Sequence, residues 1–303
     1  MRVCLNPSCP FNLDATLCCG QTFSWNKQGQ WWYGIVKKRV FKIFQKDDFL
    51  EFEDTDTDFV KSYFGLHDDL PNILSQISKD EHIGKAVETF RGLRILRQDP
   101  WECLLSYICA TYKNISAIKN MLLNLSKAFG DKVCYDGYDF YTFPTPEKLA
   151  KATKRELAKC SLGYRAKYVS ETAKMILKND FEFEDLRKMS YEKAREELLN
   201  FSGVGLKVAD CVLLFSLEKL QAFPIDVWIK RTILKYYANH FPREFIEKIS
   251  RKKSFTDSEY DQMSLFARRY FGKYAGYAQE YLYHYERINS KKEHAQCHNH
   301  IVV

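Results

Sequence analysis

Apolar positions change rhythm near residue 80. Up to about residue 60 they form short alternating or aromatic runs, Thr22-Phe-Ser-Trp25, Gln30-Trp-Trp-Tyr33, Val40-Phe-Lys-Ile-Phe44 and Phe49-Leu-Glu-Phe52, broken by Lys-Gln-Gly and Lys-Asp-Asp turns. Alternation punctuated in this way predicts an antiparallel sheet across residues 12–60. Asp54 to Asp58 reads as an acidic turn, Thr57 to Phe64 as the start of the first helix, and Leu70, Ile73, Leu74 and Ile77 as a helical link. From Asp80 onward apolar residues recur every three or four positions. Helices are expected at 80–91, 99–112, 115–129, 146–151, 154–160, 165–178, 190–201, 207–218, 226–238, 256–271 and 275–287. Cys134 to Phe143 reads as an aromatic surface loop, and Phe241 to Phe255 as a linker carrying Arg251-Lys-Lys253. Residues 290–303 read as a flexible tail whose His294, Cys297, His298 and His300 call for no metal. The predicted class is α+β, with an antiparallel β domain and flanking helices over 1–79 and a mostly α-helical region over 80–289.

Composition narrows the choice of partner. A chain of 303 residues can bury a full core and accommodates two domains. The net charge of +7 is unevenly spread: residues 1–90 hold ten Lys/Arg against thirteen Asp/Glu, leaving 36 against 26 in residues 91–303. A polyanion would therefore meet the second part. The ten cysteines are scattered, and Cys103 and Cys109 lie inside apolar helical runs, as reduced thiols of an intracellular protein do. Cys4, Cys9, Cys18 and Cys19 lack paired zinc-ligand spacing, so no metal site is expected. No apolar run is long enough to span a bilayer, and Met1-Arg-Val-Cys-Leu-Asn-Pro is neither apolar nor arginine-rich, so neither a membrane partner nor a targeting segment is expected.

The candidate chemistry centres on Asn200 to Ser216. Apolar spacing at Ala194, Leu198 and Leu199, and again at Val208, Val212 and Phe215, brackets Gly203 and Gly205 and predicts helix, hairpin, helix. The two glycines put no side chain between their amides and an approaching phosphate. Lys207 falls in the first turn of the second helix, where the helix dipole and apolar neighbours disfavour its ammonium form. It is either a solvated phosphate contact or a nucleophilic amine. Asp226, in Phe223-Pro-Ile-Asp-Val-Trp-Ile-Lys-Arg231, is either a helix cap or a carboxylate presented to a developing cation.

Gly203-Val-Gly-Leu-Lys-Val-Ala-Asp-Cys211 followed by Pro224-Ile-Asp-Val227 resembles the catalytic core of the helix-hairpin-helix DNA glycosylases. Within them the chain is most similar to the 8-oxoguanine DNA glycosylase/AP lyase family, from about Asn12 to Tyr285. The resemblance implies a helix-hairpin-helix glycosylase region over 80–289, duplex DNA containing 8-oxoguanine as partner, a monomer, and residence with the DNA (cytoplasm or nucleoid in a prokaryote). It implies Lys207 as the nucleophile on the sugar C1′, leaving an imine from which β-elimination cuts the strand, and Asp226 as the stabiliser of charge on the sugar. Gly20, in Cys18-Cys-Gly-Gln-Thr-Phe-Ser-Trp25, matches the glycine whose carbonyl accepts from N7–H, a hydrogen that 8-oxoguanine has and guanine lacks. Gln279 matches the reader of the base's pairing edge, Tyr283 the aromatic that stacks on the base, and Cys211 the residue closing the other face.

On the DNA side, Asn114 matches the last of a run of asparagines that fills the vacated hole, Tyr164 the wedge aromatic, and Arg165 the arginine that reads the orphaned cytosine. Gly203 and Gly205 amides, with Lys230, Arg231, Lys235, Arg268, Arg269 and Lys273, would hold phosphates. The resemblance implies no required cofactor, and the hairpin carbonyls are candidates for a monovalent cation. Three positions depart from the pattern: Tyr112-Lys113 replaces two asparagines, Ala117 a second cytosine-gripping arginine, and Trp228 a histidine. A weaker preference for cytosine opposite the lesion is expected. Two alternatives remain open, a helix-hairpin-helix module that binds DNA without chemistry and a glycosylase for another damaged base.

Overall fold

The computed structural model describes residues 1–178 and 181–299, with side chains as far as Ser290. Strands β1 (Arg2–Cys4), β2 (Trp25–Gln28), β3 (Trp31–Val36), β4 (Arg39–Lys46) and β5 (Phe49–Glu53) form one antiparallel sheet in the order β1-β5-β4-β3-β2. Registers such as Ile43 opposite Phe52 set the apolar side chains on one buried face. The sheet is thus where alternation predicts it, with β1 as an added edge. Helix α1 (Leu13–Cys18) interrupts the predicted span: the Asn12 side chain accepts from the Ala15 amide at 2.8 Å and closes a first turn that the alternating runs do not announce. The two faces of α1 serve different cores. Leu13 and Leu17 join Trp25, Phe41 and Phe52 under the sheet, whereas Ala15 and Cys19 join the helical core. The chain therefore crosses from one core to the other just before Gly20.

Helix α2 (Thr57–Tyr63), capped by Asp56, completes the sheet's core through Val60 and Tyr63, while α3 (Leu70–Ile77) already packs into the helical one. Beyond it, α4 (Glu81–Thr89), α5 (Pro100–Ala110), α6 (Ile115–Phe129), α7 (Pro146–Lys151), α8 (Lys154–Lys159) and α9 (Arg165–Lys178) fall where the spacing predicts, as do α11 (Tyr191–Leu199), α12 (Leu206–Ser216), α13 (Val227–Tyr236) and α15 (Asp257–Phe271). Two short helices are additions. One is α10 (Phe183–Lys188), and the other, α14 (Arg243–Ser250), replaces most of the expected linker. Lys252 of that linker is bound inward, its Nζ 2.6 Å from Glu259 Oε1, so it supports the first turn of α15.

Cys134 to Phe143 is also not a loop. Strands β6 (Lys132–Tyr135) and β7 (Tyr138–Tyr141) pair as a hairpin, and the Tyr33 ring of the sheet stacks on Phe140 while its hydroxyl donates to Asp136 Oδ2 at 2.6 Å. The final helix, α16 (Ala275–Asn299), runs on into the segment expected as a tail. Residues 300–303 and the side chains of His294, Cys297, His298 and His300 lie outside the described residues. The helical core is built on α5 and α12, whose runs Cys103 to Ala110 and Val208 to Ser216 are buried on every side. Helix α16 packs across α13 and α4, which brings the last helix of the fold beside the hairpin unit.

Candidate active site

The hairpin is shaped by one glycine that must turn and one that must stay bare. Gly203 has φ +80°, and a Cβ there would lie 2.6 Å from the Tyr168 ring, so no other residue fits. Gly205 caps α12 without a side chain and has open space above it, leaving the first amides of the helix unpaired and accessible. Behind the hairpin Asp210 is fully buried, accepting from Tyr191 (2.6 Å) and Tyr260 (2.7 Å) hydroxyls and pairing with Arg195 at 3.2 Å. The same Tyr260 oxygen accepts from the Ile225 amide at 3.2 Å. Helices α11, α12 and α15 are thereby tied to the residue preceding Asp226. Replacing Tyr260 with Phe leaves the Ile225 amide and one Asp210 oxygen unpaired in the core. A stability loss of about 1–3 kcal/mol is expected; an unchanged denaturant midpoint would mean the hydroxyl is dispensable to the frame.

Lys207 is half-buried in the first turn of α12, its Nζ 5.9 Å from the centroid of the Tyr107 ring. Asp226 caps α13, one carboxylate oxygen accepting from both the Trp228 and Ile229 amides at 2.9 Å. Burial raises the Asp226 carboxyl above the usual carboxylate range; the Lys207 charge, then the two amides, offset part of that rise. The Lys207 charge thus reaches the Asp226 carboxyl, which at the same time caps α13.

Of the residues expected around a base, Gly20, Tyr283 and Cys211 lie near Lys207 and Asp226. Gly20, at φ +110°, meets Tyr283 so closely that a Cβ would stand 3.2 Å from its ring. Burial, then the Asp226 charge, raises the Tyr283 phenol. Cys211, one turn after Lys207, is buried, and its thiol is raised by desolvation and lowered by Lys207. Gln279 is only 4% exposed, and its Oε1 has no hydrogen-bond partner within the protein. Three further residues belong here that spacing does not reveal. Tyr107, beneath Lys207, donates to the Gln21 carbonyl at 3.1 Å; Glu280 is buried beside Gln279; and Arg287 lies 5.4 Å from the Tyr283 ring.

Of the expected DNA contacts, some face solvent and others do not. Asn114 caps α6, its side chain accepting from the Ala117 amide at 2.8 Å, and Tyr164 is 55% exposed. Arg165 is buried, its guanidinium bonded to the Thr111 carbonyl and packed on Tyr164, so in this state it is not presented to a base. That bond joins the turn before α6 to the turn before α9; Tyr112, which follows Thr111, is 82% exposed. Lys230 is a correction: it is 7% exposed, with its Nζ on the Lys252 carbonyl, because its helix face packs inward. Arg268 is likewise engaged, with Glu192 and the Tyr191 ring. Arg231, Arg269 and Lys273 are exposed, Arg231 over the Trp228 ring.

Among the described residues no group of three His, Cys, Asp or Glu could hold a metal, and no helix is long and apolar enough to cross a membrane. A cleft of about 550 Å³ between the sheet, α6 and the β6–β7 hairpin lies apart from this site, lined by none of Lys207, Asp226, Gly20, Gln279 or Tyr283. Residues 4–104 match the profile of the 8-oxoguanine DNA glycosylase N-terminal domain, and residues 105–253 that of HhH-GPD superfamily base excision DNA repair proteins. The probable N-glycosylase/DNA lyase of Methanothermobacter thermautotrophicus is 33% identical over 69% of this chain and 68% of its own length. MBOgg1 in complex with a low-affinity DNA ligand superposes with a TM-score of 0.84 at 34% identity, over 95% of this chain and 96% of that one. The 8-oxoguanine glycosylase/lyase of Clostridium acetobutylicum, in complex with duplex DNA containing cytosine opposite 8-oxoguanine, gives 0.82 at 32% identity, over 92% and 93%.

Proposed function

Because this chain belongs to the 8-oxoguanine DNA glycosylase family of the HhH-GPD superfamily, we propose that the site joining Lys207, Asp226, Gly20, Gln279 and Tyr283 is where it excises 8-oxoguanine and cleaves the strand. It is a bifunctional glycosylase/AP lyase that works on DNA. A base cannot be surrounded inside the stack, so the lesion must first be flipped out. Its Watson–Crick edge then faces Gln279, whose unpartnered Oε1 accepts a donor, and its N7–H meets the Gly20 carbonyl. Guanine offers a lone pair there and is repelled. Tyr283 rests on Gly20 in this structure and swings aside to stack on the base, with Cys211 behind.

The Lys207 amine forms a bond to C1′ as the glycosidic bond breaks, its electron pair leaving with the base, which takes up a proton. Asp226 stabilises the positive charge that develops on the sugar, its carboxylate held in place by the Trp228 and Ile229 amides. Ring opening gives an imine to Lys207; loss of a C2′ proton then expels the 3′ phosphate and cuts the strand. The amides at Gly203 and Gly205, with Arg231, hold the backbone, and the hairpin carbonyls suit a monovalent cation. Tyr112, Asn114 and Tyr164 fill the hole left by the flipped nucleotide. The protein acts as a monomer.

What supports this reading is that the Lys207 charge acts on the Asp226 carboxyl, which in turn acts on Tyr283 against Gly20, with Gln279 buried one turn before Tyr283 on the same helix. The test is excision from duplexes carrying 8-oxoguanine opposite each of the four bases. Excision from all four is expected, with a narrow spread, because Ala117 offers no guanidinium and Arg165 is turned onto Thr111. Strict dependence on cytosine would show that Arg165 is released on binding and suffices alone; no excision from any duplex would overturn the substrate.

A further inference from the structure

The Cys18-Cys19-Gly20 turn is met residue by residue by one face of α16. Arg287 donates to the Cys18 carbonyl at 2.6 Å, Tyr283 lies against Gly20, and Glu280, buried on the same stripe, acts on the Cys19 thiol, which bonds to the Thr16 carbonyl. Positions 280, 283 and 287 are three and four apart, so they lie on one stripe of the helix. We propose that Arg287 and Glu280 are positioning residues, which hold the Gly20 carbonyl at the depth and angle needed to accept from the base. This rests on the reading of Gly20 and Gln279 given above. It makes α16 the common ruler of the pocket, carrying Gln279 and Tyr283 to the base directly and fixing Gly20 from behind.

The chemistry favours that role over chance packing. Cys18 is the last residue of α1, so its carbonyl is unpaired within the helix and sits at the negative end of the dipole, where a guanidinium binds best. Arg287 is 7% exposed, and the same Nη2 also lies 3.0 Å from His284 Nδ1. Burial, then the Arg287 charge, lowers His284 to about 3, so its ring is neutral and accepts. Glu280 is 2% exposed, with Oε1 unpartnered. Burial pushes its carboxyl up to about 7, with Cys19 and Arg287 drawing it down and Asp226 pushing it up. A fold that only needed packing would gain nothing from a carboxyl there. From the other side Gln21 fastens the turn, its Nε2 donating to the Thr16 and Arg94 carbonyls at 3.0 and 2.8 Å and its Oε1 accepting from Leu96 at 2.8 Å. Gly20 is held between Gln21 and α16 and has no side chain of its own to fix it.

Two reactions of the same protein separate positioning from general integrity. Excision of 8-oxoguanine needs the Gly20 carbonyl; strand cleavage at a preformed abasic site has no base to read and needs only Lys207 and its surroundings. Arg287→Met is expected to slow single-turnover excision on the order of 10–100-fold, as misplacement by about 1 Å does, and to slow abasic-site cleavage far less, since that reaction loses only the Arg287 charge acting on Asp226. Arg287→Lys, which keeps a donor near Cys18, is expected to recover part of the loss. Glu280→Leu removes the buried carboxyl without leaving a polar group unpaired; it should show the same split and serves if Arg287→Met fails to fold. Equal losses in both reactions, or unimpaired excision, would overturn the proposal. If the wild type cleaves abasic sites and excises no 8-oxoguanine, the substrate reading falls and the brace with it.

Discussion

Lys207→Gln is expected to abolish excision, by about 10⁴-fold or more, while the variant still binds lesion-containing duplex. Glutamine has neither a nucleophile nor a proton acceptor of comparable strength. Its length lets it fill the space above Tyr107 and beside Cys211, so the pocket keeps its walls. The amides of the hairpin, which hold the backbone, are untouched. Two measurements check this together. In single-turnover excision the variant should be silent; in a binding titration it should stay near the wild type. Borohydride supplies the chemical signature, because reduction of the imine fixes DNA to the protein. A covalent adduct is expected with wild type and none with Lys207→Gln. An adduct on the variant would reassign the nucleophile, and its absence from the wild type would point to a protein that holds DNA without reacting with it.

Asp226→Asn should give the next largest effect. Asparagine accepts from the Trp228 and Ile229 amides as aspartate does, so α13 keeps its start and stability should move by only a few tenths of a kcal/mol. What disappears is the charge opposite Lys207. Excision is expected to slow by roughly 10²–10³-fold, equivalent to about 2.7–4 kcal/mol of transition-state stabilisation, with an unchanged thermal midpoint. The contrast isolates the two roles of the residue. A slow enzyme of normal stability assigns the carboxylate to the chemistry, whereas a normal rate would reduce Asp226 to a cap.

Long helices were legible because each buries a full stripe: α6, α9 and α15 announce themselves by spacing, and α5 and α12 by apolar runs. Short elements were legible only where caps or turns mark them, as Thr145 and Thr153 mark α7 and α8. Helix α10 has six residues and no side-chain cap, too few positions to show a period. The β6–β7 hairpin does carry an Asp136-Gly137 turn, yet its strands are four residues long and gain their apolar face from Tyr33, about a hundred positions away. Helix α1 depended on one Asn12 bond. Lys230 shows the converse, since its residue type suggested a phosphate while its place on α13 sent it inward to Lys252.

Local order in the sequence therefore determined the class and the hairpin, because periodicity, turns and caps depend on neighbours within a few residues; the roles of Lys207 and Asp226 were implied only by the resemblance. Which polar groups reach the pocket was decided only by the tertiary structure. Cys18 and Arg287 are 269 positions apart, and nothing near either one indicates the other. Burial and hydrogen-bond satisfaction are properties of the assembled elements; the same physics that drew Arg287 and Glu280 under the Gly20 turn withdrew Lys230 and Arg165 from the surface.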